Sequence, residues 1–345
     1  MIATTMKAWN WRSFGSLGGL QLESRPVPRP GHGEVLVRLR ANSINQRDLM
    51  AARGALPVRN GQAAVVPLCD GAGEVAALGE GVGRVGIGDR VIVNFHQRWL
   101  SGALRHEHVG CTLGSDVDGL LREYAVLHES GVLRFPAHLS YAEAATLPCA
   151  AVTAWSALFV KSALQPGETV LTLGSGGVSL FALQLAKAAG ARVIVTTSSA
   201  ARDGRLKQLG ADGVVNYRDA DWPQQVRALS GGKGVDVVVE TGGGGTYVQS
   251  LTTAAWHARV AIVGLITGFT DPGGSLLPIL MNDLSVRAVQ VGSRTDTENL
   301  LRFVDVAQLR PIIDSRYAFE QAPAAYRRLD SGEAFGKVVI EHADV

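Results

Sequence analysis

A glycine-rich turn, Gly174-Ser175-Gly176-Gly177, has the residue types of a phosphate-binding loop. The apolar, β-branched run 169–173 before it predicts a buried strand, and apolar residues recur at helical spacing from Val178 onward. Glycines let the backbone approach a pyrophosphate, and the first N–H groups of a helix attract anions. Because a second strand is predicted at residues 192–196, the setting is that of a dinucleotide site. A tight turn without a ligand is the alternative, and Ser179 replaces the usual glycine or alanine.

The end of the second predicted strand carries hydroxyl groups where many NAD-binding chains carry an acid. It reads Thr196-Thr197-Ser198-Ser199, and Arg202 follows. An acid there binds the ribose 2′-hydroxyl and would repel a 2′-phosphate, whereas hydroxyls and a guanidinium can bind that phosphate. The sequence therefore favours NADP(H) over NAD(H). A solvated helix residue is an equally good interpretation of Arg202.

The composition limits the classes of protein to which the chain can belong. With 345 residues, 46% of them apolar and 19% charged, the chain has the length of about two domains. A net charge of +2 gives no electrostatic footprint for nucleic acid or an anionic membrane. We find no apolar run of membrane-spanning length and no signal peptide, so we expect a cytoplasmic protein. Three cysteines do not indicate a disulfide framework.

The order of predicted strands and helices indicates an α/β chain with two kinds of domain. Short strands separated by glycine-rich turns fill the first 130 residues, as in a small β barrel. Ser140 and Glu143 predict a helix start with a capping box. From about residue 151, strands and helices alternate, which indicates a doubly wound parallel sheet. Its expected strands are residues 169–173, 192–196, 213–216, 235–240, 259–263 and 287–291. A last strand at 337–341 is expected to rejoin the β domain.

Along nearly its whole length the chain resembles the medium-chain dehydrogenase/reductase superfamily. The matching segments are PRPGHGEVLVR (28–38), PLCDGAGEVAALGEGV (67–82), GDRV (88–91), EAATLPCAAVTAW (143–155), LGSGGVSLFALQLAKAAGARVI (173–194), LGAD (209–212), GVDVVVE (234–240) and FGKVVI (335–340). The resemblance implies a GroES-like catalytic β domain over residues 1–150, completed by 292–345, and a Rossmann dinucleotide-binding domain over 151–291. The nearest subgroup comprises quinone-oxidoreductase-like and zinc-free alcohol-dehydrogenase-like members.

Zinc alcohol dehydrogenases of this superfamily bind a catalytic zinc ion through a cysteine, a histidine and a second cysteine, beside a glutamate. The resemblance puts Asn45, Cys69 and Cys149 at the ligand positions and Asp70 at the glutamate position. Asn45 is a poor zinc ligand, and the two cysteines are also interpretable as small buried apolar residues. We therefore expect no metal. If zinc is bound, Cys69, Asp70 and Cys149 are its expected ligands.

A structural zinc ion, which family members hold with four closely spaced cysteines, is not expected either. Residues 99–124 contain only Cys111. Together with His106 and His108 it places three potential ligands in one loop, but a solvated polar loop is the favoured interpretation.

The resemblance also assigns residues to the cofactor. Thr153 matches a threonine near the nicotinamide, and Tyr217 matches a tyrosine that related quinone reductases place beside the 2′-phosphate. Gly242, Gly264 and Leu265 fall at carboxyl ends of predicted strands, where ligands bind in such folds, although Gly242 is equally interpretable as part of a flexible turn. The expected cofactor residues are Thr153, Gly174, Gly176, Gly177, Val178, Thr197, Ser198, Ser199, Arg202, Tyr217, Gly242, Gly264 and Leu265.

Without a Lewis acid, negative charge that develops on a substrate oxygen needs hydrogen-bond donors. By their place in the family cleft, Asn45, Gln46 and Arg47 are the candidates, with Gln46 where many relatives carry tyrosine. Asp48 matches a family aspartate, which we interpret as orienting the backbone more often than transferring protons. These four residues are the expected catalytic set.

We therefore expect an oxidoreductase that transfers a hydride from NADPH to a small carbonyl compound, a quinone or an enone without zinc. One alternative is an alcohol dehydrogenase, with or without zinc, that interconverts an alcohol and its aldehyde or ketone. Another is a family member that binds nucleotide without catalysis. By analogy with the family we expect a homodimer joined through the edge strand 287–291, and no nucleic-acid or membrane partner.

Overall fold

Residues 2–55, 65–268, 270 and 274–343 are described by a computed structural model. The chain divides into two compact units, residues 1–150 together with 292–345, and residues 151–291.

The first unit begins as a β domain. Its strands are β1 (Thr5–Trp11), β2 (Leu20–Pro26), β3 (Glu34–Ile44), β4 (Asp70–Leu78), β5 (Arg90–Val93), β6 (Tyr124–His128) and β7 (Val132–Arg134), and its helices are α1 (Gln46–Ala52) and α2 (Tyr141–Ala144). β1 and β2 form an antiparallel pair, and β3 pairs antiparallel with both β4 and β6. The capping box predicted at α2 is confirmed, because Ser140 accepts from the Glu143 backbone and Glu143 accepts from the Ser140 backbone.

The second unit is a parallel sheet with connecting helices, which confirms the predicted Rossmann architecture. Its elements are α3 (Val152–Trp155), β8 (Thr169–Leu173), α4 (Gly177–Ala188), β9 (Arg192–Thr197), α5 (Asp203–Gln208), β10 (Gly213–Asn216), α6 (Trp222–Leu229), β11 (Val235–Glu240), α7 (Tyr247–Thr253), β12 (Ala254–Ile262), α8 (Leu277–Met281) and β13 (Ser285–Ala288). The strands lie in the order β10-β9-β8-β11-β12-β13, all parallel. From β8 the chain adds strands toward one edge of the sheet, and from β11 it adds them toward the other, so the order of succession reverses between β8 and β11. Ligands of open parallel sheets bind at that reversal, outside the carboxyl ends of the strands.

The chain then returns to the first unit through α9 (Arg294–Val306), β14 (Ile313–Ala318), α10 (Ala322–Asp330) and β15 (Lys337–Glu341). β15 pairs antiparallel with β3, with Val338 opposite Ile44, so the predicted return of the last strand is confirmed. α10 buries Tyr326 against Trp11 of β1, their rings meeting edge to face at 5.4 Å. This contact ties the last segment into the core of the β domain.

Several predicted boundaries were wrong. The strand expected at 259–263 begins at Ala254, and the one expected at 287–291 is Ser285–Ala288. Extended backbone cannot continue to Val291, whose φ is +58°. β1, β2 and the elements of residues 294–330 were not predicted.

One helical run, Tyr141–Lys161, is long and apolar enough to cross a membrane, which corrects the expectation that no run has that length. Of its most apolar window, 72% is buried inside the protein. Core helices often pass the same test of length and composition, so the run is weak support for a membrane span.

Candidate active site and nucleotide-binding turn

Side chains from four separate segments of the first unit meet where β3 ends. Asn45 follows β3 and precedes α1, Cys69 and Asp70 lie at the start of β4, and Lys337 begins β15. Cys149 comes from the helical turn after α2. The thiols of Cys69 and Cys149 and a carboxylate oxygen of Asp70 all lie within 4.8 Å of one another. The structure therefore brings together the residues that the sequence places at the metal positions.

The amide of Asn45 has one orientation in this cluster. Lys337 Nζ donates to Asn45 Oδ1 at 2.5 Å and to the Ile44 carbonyl at 2.9 Å. An ammonium group can only donate, so the amide oxygen must face it. Asn45 Nδ2 then points to the other side, where it donates to Asp70 Oδ2 at 2.8 Å and lies 3.8 Å from Cys69 Sγ. Asn45 therefore presents N–H groups, not a lone pair, to the space beside Cys69 and Asp70.

Lys337 and Asp70 form a buried ion pair. Their charged atoms are 3.5 Å apart, and the two side chains are only 3% and 0% exposed. Burial raises the pKa of the Asp70 carboxyl to about 6, although the Lys337 ammonium opposes that shift. Lys337 was not among the site residues predicted from the sequence. Its signal was a single lysine in the otherwise apolar strand segment FGKVVI.

The cluster as oriented fits a catalytic zinc ion poorly. Zinc needs ligand atoms with free lone pairs, and its cysteine ligands bind as thiolates. Asn45 offers a donor at this place, and the ammonium of Lys337 already neutralises Asp70. Burial, with Cys149 next in effect, raises the pKa of the Cys69 thiol well above its ordinary value. Two thiols and one carboxylate nevertheless constitute the partial ligand set that a metal would use.

Arg47 is a charged, partly buried neighbour of this cluster. Its Nη1 donates to Asp48 Oδ1 and to the Leu113 carbonyl, both at 3.2 Å, and its Nη2 donates to Ser115 Oγ at 2.9 Å. Burial alone would lower the pKa of Arg47, but the nearby thiols and Asp48 together raise it above its ordinary value. Arg47 therefore holds the loop that contains Leu113 and Ser115 and keeps its positive charge.

The other two expected catalytic residues differ in their surroundings. Asp48 is buried, and its Oδ2 accepts from the Asn45 backbone N–H at 2.8 Å, so it caps α1. Burial raises the pKa of Asp48, against the effect of Arg47. Gln46, the first residue of α1, is exposed, whereas Asn45 and Asp48 beside it are buried.

The histidines and the cysteine of the polar loop do not form a ligand cluster in the part of the chain that the structure describes. His108 Nδ1 accepts from the Arg105 backbone, and Cys111 Sγ lies 3.5 Å from the His108 carbonyl. These contacts stabilise a short helical turn, His106–His108.

In the second unit, the glycine turn leaves the start of α4 open. Gly174 has φ +77°, a conformation that favours glycine, and its N–H donates to the Thr196 carbonyl at 2.8 Å. Gly176 is the N-cap of α4, and Gly177 and Val178 are its first residues. A Cβ atom added at Gly174 or Gly176 would meet nothing within 4 Å. The open space and the free N–H groups of the helix suit a pyrophosphate.

Ser179 explains how the turn departs from the usual motif. Its Oγ donates to the Leu173 carbonyl at 2.5 Å, and the residue is buried. The side chain is therefore small enough to lie between the helix and β8 and adds a hydrogen bond there.

Hydroxyl groups and one guanidinium converge beside this turn. Arg202 Nη1 donates to Ser175 Oγ at 2.8 Å, so Arg202 lies against the glycine turn. Thr197 is buried, and its Oγ1 accepts from the Ser199 backbone at 3.2 Å. The Tyr217 backbone donates to the Thr197 carbonyl at 3.1 Å, and its side chain is 39% exposed. Ser198 lies between Thr197 and Ser199, in the same turn.

The loop after β11 is fixed by a carboxylate that the sequence analysis did not select. Glu240 is fully buried, and its Oε1 accepts from the backbone of Gly242 at 2.7 Å and of Gly243 at 3.0 Å. Thr246 Oγ1 donates to the same oxygen at 2.7 Å, and the Ser250 hydroxyl donates to Oε2. Four donors to Glu240 hold the loop, and whether Gly242 serves the cofactor or belongs to a flexible turn stays a prediction. An acid two residues before a glycine run was the available signal.

The remaining expected cofactor residues also lie in the second unit. A Cβ atom on Gly264 would come within 2.2 Å of the Thr241 carbonyl, so the loops after β11 and β12 touch. Thr241 Oγ1 donates to the Leu173 carbonyl at 2.8 Å, which joins them to the end of β8. Leu265 is 40% exposed at this edge. Thr153 is buried in α3, which packs against α4.

Two family models match the chain. The alcohol dehydrogenase GroES-like domain matches residues 31–137, and the zinc-binding dehydrogenase domain matches residues 177–306. A zinc-type alcohol dehydrogenase-like protein of Schizosaccharomyces pombe is 37% identical over 329 residues, with 93% of this chain and 95% of the relative covered. A 2-methylene-furan-3-one reductase of Solanum lycopersicum is 30% identical, with 98% of this chain and 80% of the relative covered.

The chain is also similar to solved structures that include dehydrogenases. A protein of Sinorhizobium meliloti 1021 assigned to the alcohol dehydrogenases is 40% identical, with a TM-score of 0.92 over 99% of this chain and 100% of that one. An NAD-dependent alcohol dehydrogenase is 34% identical, with a TM-score of 0.89 over 97% and 99% of the two chains. A mycobacterial protein in complex with NADPH is 25% identical, with a TM-score of 0.81 over 97% and 99%.

The fold, the sites and these relatives define an oxidoreductase that uses a nicotinamide nucleotide. The chain belongs to the medium-chain dehydrogenase/reductase superfamily.

Proposed function

We propose that this protein transfers a hydride from NADPH to a small carbonyl compound, an enone or a quinone without a zinc ion, and that water or a residue of the cleft supplies the proton that completes the reduction. The observation that carries the proposal is the orientation of Asn45, whose N–H groups occupy the place where a zinc ligand would be needed. The relative named as a 2-methylene-furan-3-one reductase supports an enone substrate.

The residues that would hold the cofactor are those of the open turn at α4 and of the hydroxyl-rich turn after β9. When bound, the nicotinamide supplies the hydride chemistry. NADP(H) is favoured because residues 196–199, at the end of β9, include no acid, and because Arg202 is held at the glycine turn by Ser175. Similar structures include an NADPH complex and an NAD-dependent enzyme. The preference of this chain for NADP(H) over NAD(H) therefore has to be measured on the protein itself.

The first unit would supply the charge that stabilises a developing oxyanion. Arg47 and Lys337 are cations at the cluster, and both are held by several hydrogen bonds. Because the ammonium of Lys337 neutralises Asp70, Arg47 is the cation that would stabilise the oxyanion. Fixed positive charge in a partly dry site stabilises negative charge without reorganisation of solvent. Gln46 keeps an exposed amide, which makes it the available donor to a substrate oxygen. Asp48 and Asn45 act as orienting groups in this proposal.

The experiment is an assay of NADPH consumption by the purified protein with a panel of quinones, enones and aldehydes. We expect turnover with at least one class and a lower KM for NADPH than for NADH. Absence of NADPH consumption with every compound would contradict the proposal.

A second candidate is a zinc-dependent alcohol dehydrogenase. The close approach of Cys69, Asp70 and Cys149 favours it, as does the zinc-type name of a relative. Oxidation of alcohols that depends on stoichiometric zinc would establish this alternative.

We also propose a homodimer joined through the second unit. Among the strands that the structure describes, β13 lies at the edge of its sheet and pairs with β12 alone. Apolar side chains are exposed nearby, with Trp256 at 69%, Leu276 at 74% and Leu280 at 78%. Edges and apolar patches of this kind are commonly covered by a second copy. Light scattering on the purified protein should give twice the chain mass, and a monomer would refute this part.

A further inference from the structure

A cavity of about 680 Å³ lies on the β domain of the first unit and includes none of the residues assigned above to the reaction. Val126 of β6, Val117 and Leu100 give it an apolar lining. Two arginines, Arg98 and Arg122, line the same cavity. Binding sites for small molecules have this volume and combine apolar walls with a few polar groups.

Among the residues that the structure describes, Arg122 makes no close ion pair, and Asp118 is the carboxylate that acts on its charge. The side chain is partly buried, and its Nε is closed off from solvent with no acceptor in reach. Burial lowers the pKa of the guanidinium, with Asp118 opposing the shift, but an arginine stays charged near neutral pH. A buried N–H without an acceptor costs free energy, but Nε is out of reach of a ligand in the cavity, so an anion would have to meet the outer N–H groups of the guanidinium.

The acids that line the cavity are already engaged. Asp118 accepts from Arg25 Nη1 and from the Val66 backbone, both at 3.0 Å. Glu34 accepts from the Gly31 backbone at 2.8 Å. Neither carboxylate therefore forms a hydrogen bond with Arg98 or Arg122, the two arginines that line the cavity.

We propose that this cavity binds a small organic anion, with its oxyanion on Arg122 and an apolar stem against Leu100, Val117 and Val126. A guanidinium presents parallel N–H groups that match a carboxylate or a phosphate. Arg98, which is exposed, adds a second positive charge near the opening. None of the expected catalytic or cofactor residues lines this cavity, although the carbonyl of Leu113, which does line it, accepts from Arg47 Nη1 at 3.2 Å.

Calorimetry on the full-length protein tests this, with octanoate, hexyl phosphate and inorganic phosphate as probes. We expect one of the two stemmed probes to bind at least about tenfold more tightly than inorganic phosphate, and the tighter one identifies the head group. Arg122→Gln should weaken that binding by about tenfold or more, because it removes the charged fork. Arg29→Gln, which changes an exposed arginine outside the cavity, should leave it unchanged.

A second variant keeps the test decisive if Arg122→Gln does not fold. Leu100→Glu adds a negative charge at an exposed position of the cavity and should weaken binding of the same probe severalfold. Val109→Glu, a similar change at an exposed residue outside the lining, is its control. The proposal is overturned if the wild type binds none of the probes, or if a folded cavity variant binds as tightly as the wild type.

Discussion

The two candidate sites of this protein are built in different ways. In the second unit, the start of α4 is formed by backbone, and the residues of the turn are consecutive in the chain. In the first unit, the cluster around Asn45 is formed by side chains, and Lys337 contacts Asn45 across 292 positions of sequence. A backbone site depends on conformation, whereas a side-chain cluster depends on the identity of every member.

This difference determines how each site responds to substitution. A residue change at the turn alters what fits there but leaves the fold in place. A change in the cluster leaves a buried charge or amide without its partner, which costs several kcal/mol. We therefore expect substitutions in the cluster of the first unit to change mainly the free energy of unfolding. Substitutions at the turn of the second unit should change mainly the affinity for the cofactor.

The largest expected effect is that of Lys337→Met. It removes the ammonium from Asp70 and from two carbonyl-type acceptors, so the free energy of unfolding should fall by about 3–5 kcal/mol. Denaturant unfolding followed by circular dichroism measures the change. The double variant Lys337→Met with Asp70→Asn should recover part of the loss, because no buried charge is left unpaired. A loss below about 1 kcal/mol for the single variant would mean that the ion pair is not as buried as described.

Glu240→Gln tests whether the backbone site also depends on one side chain. A glutamine side chain cannot accept from all four donors, so we expect a loss of about 2 kcal/mol in the free energy of unfolding. The KM for the nucleotide should rise as well, because the loop after β11 loosens. Unfolding and steady-state kinetics on the same preparation measure both. An unchanged KM for the nucleotide would show that the loop after β11 does not contribute to cofactor binding.

Gly176→Ala should affect binding without affecting stability. The added methyl group has open space in the free protein and no unfavourable φ, so stability should change by less than about 1 kcal/mol. It would occupy space beside the helix start, so we expect NADPH affinity to fall about tenfold. Gly83→Ala is a matched control, since Gly83 also has open space but lies in the other unit. Equal nucleotide affinity in both variants would place the nucleotide elsewhere.

Arg202→Gln should produce the smallest effect. Removing the guanidinium takes away one charge-assisted contact to a 2′-phosphate, so NADPH should bind severalfold more weakly and NADH about as before. Fluorescence titration with both nucleotides measures the ratio. If the ratio does not change, Arg202 serves only to support Ser175.

The contrast between the sites also explains what the sequence could predict. β8, β10 and β11 were predicted with their bounds because a buried parallel strand is a continuous local pattern. The glycine turn was recognised because its signal is likewise local. β12 begins five residues before the prediction, because Ala254 already pairs with Val235 of β11 and the register then shifts to Arg259, so Trp256 and His257 lie in an irregularity that the pattern of alternating residues does not reveal.

The cluster in the first unit was predicted only in part. The resemblance identified Asn45, Cys69 and Cys149, but no local pattern gives the direction of the Asn45 amide. That direction is decided by Lys337, which becomes a neighbour only when β15 pairs with β3. Contacts between residues so far apart in the sequence depend on the folded topology, so a local sequence pattern cannot predict them.

The most direct test of the account is to measure zinc content and NADPH-dependent reduction together, on protein purified without chelators, after chelator treatment, and after zinc is added back. We predict a rate that stays the same in all three preparations, with zinc well below one ion per chain in the treated sample. A rate that disappears with the metal and returns with one zinc ion per chain would contradict the zinc-free mechanism.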